Sequence, residues 1–402
     1  QMNDVTKETE EVKQPQPQKS VREPLFHVVK RDALPVWKAL LIRVGAVLIG
    51  MVACSILFAI TMKENPLDFF VSIFEGCFKT GRRVWILLRD TSLLLLVSMA
   101  LVPAFRMKFW NLGGNGQILM GCLATTACMF YLGGKWPDGV VIPLMIVSGI
   151  LAGMVWALIP AIFKAFFKTN ESLFTLMMNY LASGIVVGVL KVWVKSGSTS
   201  LLPIGDANLP EIGNQYLLTI LVAVLITALM YVYLRFSKQG YEISVVGESE
   251  NTARYIGINV RKVVIRTLAI SGAICGLTGL LLSGAINHNI TSTMDDNMGF
   301  TAIMAAWLGK FNPLVIVATS FFINFIDKGV GQVNTDFGLT NSAFSEVAIG
   351  IIYFFIIGCE FFIQYKIRRN AGKSGGDKSS GKVRFSLKKL FFRRREEKGG
   401  EE

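Results

Sequence analysis

Long runs without Asp, Glu, Lys or Arg alternate with short charged stretches along the chain, at 44–62, 91–105, 139–163, 172–190 and 212–234 among others. A helix rises 1.5 Å per residue, so about 20 apolar residues cross the roughly 30 Å of hydrocarbon in a bilayer. The pattern predicts ten spans, near 36–62, 86–105, 111–133, 140–163, 172–193, 215–235, 264–285, 299–309, 313–328 and 346–365. The eighth is too short to cross as a straight helix. It is expected to be a half-helix or broken helix packed inside the protein, flanked by Asp295-Asp296-Asn297 and Lys310-Phe311-Asn312-Pro313. The expected fold class is an all-α integral membrane protein of about ten transmembrane helices, with an inverted repeat and broken or half helices.

The repeat is read from Asn111-Leu112-Gly113 and Asn297-Met298-Gly299, each opening a helix of small and apolar residues. Five predicted spans separate them. An odd offset makes the two copies enter the membrane from opposite faces.

Composition agrees with the pattern. Of 402 residues 52% are hydrophobic and only 17% charged, against about 25% charged in a soluble domain. The net charge of +13 suggests nucleic acid until it is located: thirteen Lys or Arg against five acids lie from Lys366 onward. Aromatics interleave with bases in 383–395, a pattern suited to anionic membrane lipid rather than nucleic acid. The chain divides into a disordered N-terminal arm (1–35), a transmembrane domain (36–365) with a loop at 236–263, and a basic C-terminal tail (366–402). The arm is polar and rich in Pro, Gln and Lys, and does not read as a signal peptide. Both tails and the loop are basic, and an even number of spans puts all three on one side, expected to be the cytoplasm.

The six cysteines mostly fall in apolar runs without a Cys-x-x-Cys pair, and the two histidines, His27 and His288, have no metal-ligand spacing around them. Neither a metal nor a cofactor is expected. Gly376-Asp-Lys-Ser-Ser-Gly-Lys-Val383 approaches a phosphate loop, but Val stands where Ser or Thr is needed and no strand precedes it. The chain is not expected to be an enzyme.

Two polar segments carry candidate chemistry. The stretch from Phe105 to Gly121 sets Asn111, Asn115 and Gln117 among Gly113, Gly114 and Gly116 at membrane depth. Polar groups there must be paired or wet. The amides can glue helices together or meet a passing solute, and the residues alone leave both open. The second, Gly240 to Ile258, has Ser249 as an N-cap, Gly257 as a stop, and Ala253, Tyr255 and Ile258 as an apolar edge. A short helix with such an edge suggests a docking surface.

These segments resemble the permease subunits of bacterial ABC importers for nucleosides and simple sugars, within the branched-chain amino acid/ribose-type binding-protein-dependent permease family. The family pattern at the first site is close to Phe-Arg-x-Gly-x-Phe-Asn-Ile-Gly-x-Glu-Gly-Gln. At the loop it is close to Gly-x-x-x-Arg-x-Val-Gly-x-Asn-x-x-Ala-Ala-Arg-x-x-Gly-Ile. Asn170 to Tyr180 and Gly299 to Pro313 agree as well. Asn115 stands in place of the family Glu, Ser244 of an Arg and Thr252 of the first of two Ala.

The resemblance implies an importer in the bacterial cell (inner) membrane, with both termini cytoplasmic. Its partners would be an ABC ATPase subunit, a second permease (the same or a paralogue) and an extracytoplasmic solute-binding lipoprotein. Gly247, Glu248, Asn251, Ala253, Arg254, Gly257 and Ile258 would form the ATPase-coupling loop. Asn111, Gly113, Asn115, Gly116, Gln117, Asn179, Asn297 and Gly299 are the candidate pathway residues. The expected solute is a nucleoside, then a simple sugar.

The rival is an ion-coupled secondary transporter, which needs carboxylates buried in its spans. Glu171, Asp327, Glu346 and Glu360 all fall near predicted span ends, where a carboxylate is ordinary.

Overall fold

The computed structural model describes residues 26–30, 35–194, 200–338 and 343–369. Thirteen α-helices occur there: α1 (Val36–Met62), α2 (Pro66–Phe78), α3 (Gly81–Arg106), α4 (Gly114–Leu132), α5 (Asp138–Phe167), α6 (Glu171–Trp193), α7 (Leu217–Phe236), α8 (Lys238–Glu248), α9 (Glu250–Tyr255), α10 (Val260–Leu281), α11 (Met298–Leu308), α12 (Pro313–Asp336) and α13 (Ala343–Gln364). A π-helical turn, Leu282–Asn287, prolongs α10. Two strands, β1 (Phe26–Lys30) and β2 (Tyr365–Arg369), complete the set. Eight of the helices are long and apolar enough to cross a membrane. With α4 and the eleven-residue α11, they account for all ten predicted spans. The protein is an all-α, multi-pass membrane protein.

Polar caps set many of the helix starts. Asn65, Thr80, Asn170, Ser237, Ser249, Asn259 and Asn312 each accept a hydrogen bond from a backbone N–H of the first turn. Pro66 and Pro313 stand just inside their helices, where a missing N–H costs nothing.

The chain forms two compact units. In the larger, residues 49–354, α3 and α10 are the inner pair, with 67% of each apolar window buried, against 28% for α5 and α7. Lipid tails are as apolar as Leu, so helices gain little by hiding apolar area from one another and adhere through close van der Waals contact. Glycine supplies that contact. Gly121 of α4, Gly149 and Gly153 of α5, and Gly272 and Gly276 of α10 bring backbones together so closely that a Cβ on any of them would strike a neighbouring helix. The Gly-x-x-x-Gly spacing at 149/153 and again at 272/276 was a legible signal that the sequence reading did not use.

The connection between the first two predicted spans contains α2. Phe69, Ser72, Ile73 and Cys77 recur on one face and are buried, and Gly76 and Gly329 let α2 lie directly on α12. The helix is amphipathic and short, so a search for spans passes over it.

One carboxylate also departs from expectation. Asp327 lies nine residues before the end of α12 rather than at a span end, because the helix continues eight residues past the predicted stop through the polar run Gly329 to Asp336. Glu360 is paired with Arg43. Glu171 keeps its place at a helix start, 2.6 Å from Lys164, and Glu346 lies in the first turn of α13.

The smaller unit joins residues 1–48 and 355–402. β1 and β2 pair antiparallel, Phe26 opposite Arg369 and Lys30 opposite Tyr365, so part of the arm expected to be disordered is a strand. Ala39, Ala46, Cys359 and Ile363 form its small core, and Arg43 Nε donates to Glu360 Oε1 at 2.8 Å. Residues 1–25, 31–34 and 370–402, and with them the phosphate-loop-like stretch and most of both tails, lie outside the described residues.

Candidate translocation site and coupling loop

After α3 ends at Arg106 the backbone runs without helix to Gly113, and α4 begins inside the protein. Backbone polar groups freed there need partners, and amide side chains supply them. Asn111, fully buried, donates from Nδ2 to Ser271 Oγ of α10 at 3.2 Å. Its Oδ1 accepts from Gly113 N at 3.1 Å and from Gln117 Nε2 at 3.3 Å. Asn179 of α6 accepts from Gly116 N at 2.9 Å and donates to Leu112 O at 2.8 Å. Thr175 accepts from Leu112 N at 3.1 Å.

The start of α11 meets the start of α4 at this place. Asn115 Oδ1 accepts from Gly299 N at 2.6 Å, and a Cβ on Gly114 would lie 3.2 Å from Gly299 Cα. Thus the N-terminus of α4 and that of the half-helix α11 abut in the interior. All eight candidate pathway residues except Asn297 are joined in this cluster. Asn297 caps α11 from a left-handed conformation (φ 51°) and is exposed. The amides act here chiefly as glue for unwound backbone. Gln117 Oε1, with Trp156 Nε1 close by Gly116, is buried without a hydrogen-bond partner.

Asp295 precedes α11. Burial pushes its carboxyl up to about 6, against the opposing pull of the backbone N–H groups of Asp295 and Asn297; the neighbouring charge of Asp296 adds to the rise.

The loop 237–259 folds as α8 and α9. Ser249 caps α9 by accepting from Thr252 N at 3.2 Å, and Gly257 ends it with φ 83°, Ile258 N donating back to Ala253 O at 2.9 Å. The apolar edge differs from expectation: Ala253 is fully buried, whereas Tyr255 (91% exposed) and Ile256 (55%) face outward. Helical spacing turns position 253 toward α10 and leaves the end of the helix free. Asn251, Arg254 and Glu248 are exposed, Arg254 3.4 Å from Glu250.

Gly247 is buried, its backbone so close to α3 that a Cβ there would run into the carbonyl oxygen of Arg106. Arg106 in turn donates from Nη2 to Phe311 O at 2.7 Å, and Phe105 stacks on Phe311 at 5.9 Å. Lys310 and Phe311 both have positive φ, at the hinge between α11 and α12. A contiguous set of contacts therefore runs from α8, through the end of α3, to α11.

Sequence reasoning missed a third group. Asp90, nine residues into α3, holds Lys328 of α12 at 2.9 Å and Arg89 at 2.8 Å. Only the lengthened α12 shows that both partners lie well inside their helices, nine residues from the start of α3 and eight from the end of α12.

A family profile described as "Branched-chain amino acid transport system / permease component" matches residues 84–357. The chain belongs to that family. The permease is 26% identical over 344 residues to the guanosine ABC transporter permease protein NupP of Bacillus subtilis, which covers 83% of this chain and 96% of that one. It is 24% identical to the glucose ABC transporter permease protein TsgB13 of Haloferax volcanii (86% and 94%). It is also 24% identical to the nucleoside ABC transporter permease protein NupB of Lactococcus lactis (75% and 85%). The matched region contains both the α4–α11 junction and the loop of α8 and α9.

Proposed function

We propose that this permease is the translocation subunit of an ABC importer, and that it carries a nucleoside, with a simple sugar as the second choice. The observation that bears most weight is the chain of contacts from α8 through Arg106 to α11. A ligand shifts a conformational equilibrium only by interacting differently with its two states. An ATPase docked on the exposed Tyr255 and Ile256 would act on α8, and α8 is seated on the backbone of Arg106, whose guanidinium holds the α11–α12 hinge. Gly247, Glu248, Asn251, Ala253, Arg254, Gly257 and Ile258 then form the coupling element, and its face of the membrane is the cytoplasmic one.

The junction of Gly114 and Gly299 is the natural moving part, since two helix ends meet there through one side-chain hydrogen bond. Partners are an ABC ATPase, a solute-binding lipoprotein and a second permease. Two guanosine permease proteins of B. subtilis, NupP and NupQ, both resemble this chain, which favours a paralogous pair.

The test is uptake of radiolabelled nucleosides and monosaccharides into proteoliposomes containing the chain and its candidate partners, with and without enclosed ATP and binding protein. Uptake that requires both supports the proposal. The pair Asp90–Lys328 inside the spans favours the rival, an ion-coupled carrier; uptake driven by an ion gradient without ATP would establish it instead.

A further inference from the structure

The polar stripe on the second half of α12 takes no part in the contacts above. Asp327, Lys328, Gln332 and Asn334, with Arg83 of α3 and Glu346 of α13, line a cavity of about 500 Å³ whose remaining wall includes α2. It lies at the end of the bundle away from the coupling loop: α3 meets Gly247 through its last residue, Arg106, and reaches the cavity with its first turns.

The depth of the cavity determines what can fill it. Asp327 is nine residues from the end of α12, about 14 Å along the helix, and Asp90 is equally far from the start of α3. Charges at that depth face the bundle interior or water, not hydrocarbon. Lys328 has its partner in Asp90. Asp327 feels the fields of Lys328, Asp296 and Asp90, yet among the described residues nothing donates a hydrogen bond to its carboxylate. Asn334 Oδ1 is buried and likewise receives none. Two acceptors thus await donors, while Arg83 and Lys328 balance Asp327 and Glu346 in charge. Lys328 and Asp90 also act on Asp296, just before the start of α11.

From this geometry we infer that the cavity is a water-filled vestibule that receives an uncharged, hydroxyl-rich solute, whose hydroxyl groups donate to Asp327 and Asn334. The inference rests on the transport reading given above and assigns that route its entrance on the side away from the ATPase.

Two measurements on the full chain test it. Thr335→Cys, in nanodiscs, is exposed to a cationic methanethiosulfonate reagent, which reacts only where water reaches; the native protein, whose nearby Cys77 is buried, gives the background. Rapid labelling that millimolar guanosine or glucose slows several-fold is expected, and absence of labelling would overturn the vestibule. In reconstituted transporter, Asp327→Asn and Asn334→Leu should raise the KM for uptake about tenfold or more while ATP hydrolysis persists, with Asp327→Glu recovering part of the loss. Unchanged KM in both variants refutes the assigned contacts. If the native transporter takes up nothing with ATP, the transport reading fails, and the labelling result still decides whether the cavity holds water.

Discussion

Alanine at Gly121 tests whether glycine holds the central helices together. A Cβ at this position of α4 would lie 2.6 Å from Gly276 O and 2.7 Å from Gly276 Cα. Ordinary van der Waals contact begins at 3.4 Å, so α4 and α10 must separate by roughly 0.8 Å, and backbone atoms cannot swing aside as a side-chain end can. Overpacking of this kind costs about 1–3 kcal/mol. The same change gains up to about 1 kcal/mol of helix propensity, which would blur a single measurement. Gly184 of α6 supplies the control, because nothing lies within 4 Å of a Cβ placed there. Gly184→Ala carries the same propensity gain without the clash. Thermal unfolding of both variants in the same detergent should leave Gly121→Ala less stable than Gly184→Ala by about 1–3 kcal/mol. Equal stabilities would refute the argument, since they would mean that the seam yields without cost.

Four further outcomes can be measured. Asn115→Ala leaves the buried Gly299 N–H without its acceptor and should cost about 1–3 kcal/mol in the same unfolding assay. Gly247→Ala drives a methyl into the Arg106 carbonyl and should lower the solute moved per ATP hydrolysed in reconstituted transporter. Gly257→Ala, at positive φ but in open space, should cost only about 1 kcal/mol of backbone strain in the unfolding assay. The folded pKa of Asp295, about 6 against an ordinary 3.8, means that the folded state binds the proton more tightly. Its contribution therefore falls as pH rises from about 4 to 6, and the full penalty, up to about 3 kcal/mol, applies above that. Asp295→Asn should raise the melting temperature more at pH 7.5 than at pH 5; a gain independent of pH would contradict the cause assigned.

The loop of α8 and α9 shows how far a linear reading reaches. Ser249 as cap and Gly257 as stop were legible because capping depends on residues a few positions apart. That Ala253 turns inward while Ile256 turns out was not, because the direction a short helix faces is settled by what it packs on. Asp327 illustrates the same limit from the other side. A hydropathy pattern loses a helix where its polar stripe begins, so the span appeared to stop at 328 and the carboxylate to sit at a wet end. The amides of Asn111, Asn115 and Asn179 could be assigned to membrane depth but not to a role, since glue and solute contact require the same residue types.

The sequence by itself determined the class of the protein: apolar runs of membrane-crossing length admit few structures other than helices, since each helix satisfies its own backbone groups in lipid. It also revealed the half-helix, by length alone, and the position of the loop helix, by its cap and stop. Only the tertiary structure decided which glycines touch, that the starts of α4 and α11 abut through Gly114, Asn115 and Gly299, and that Asp90 and Lys328 pair across two helices. These are contacts between segments remote in the chain. Their distances depend on how whole helices cross, and no local pattern of residues records that crossing.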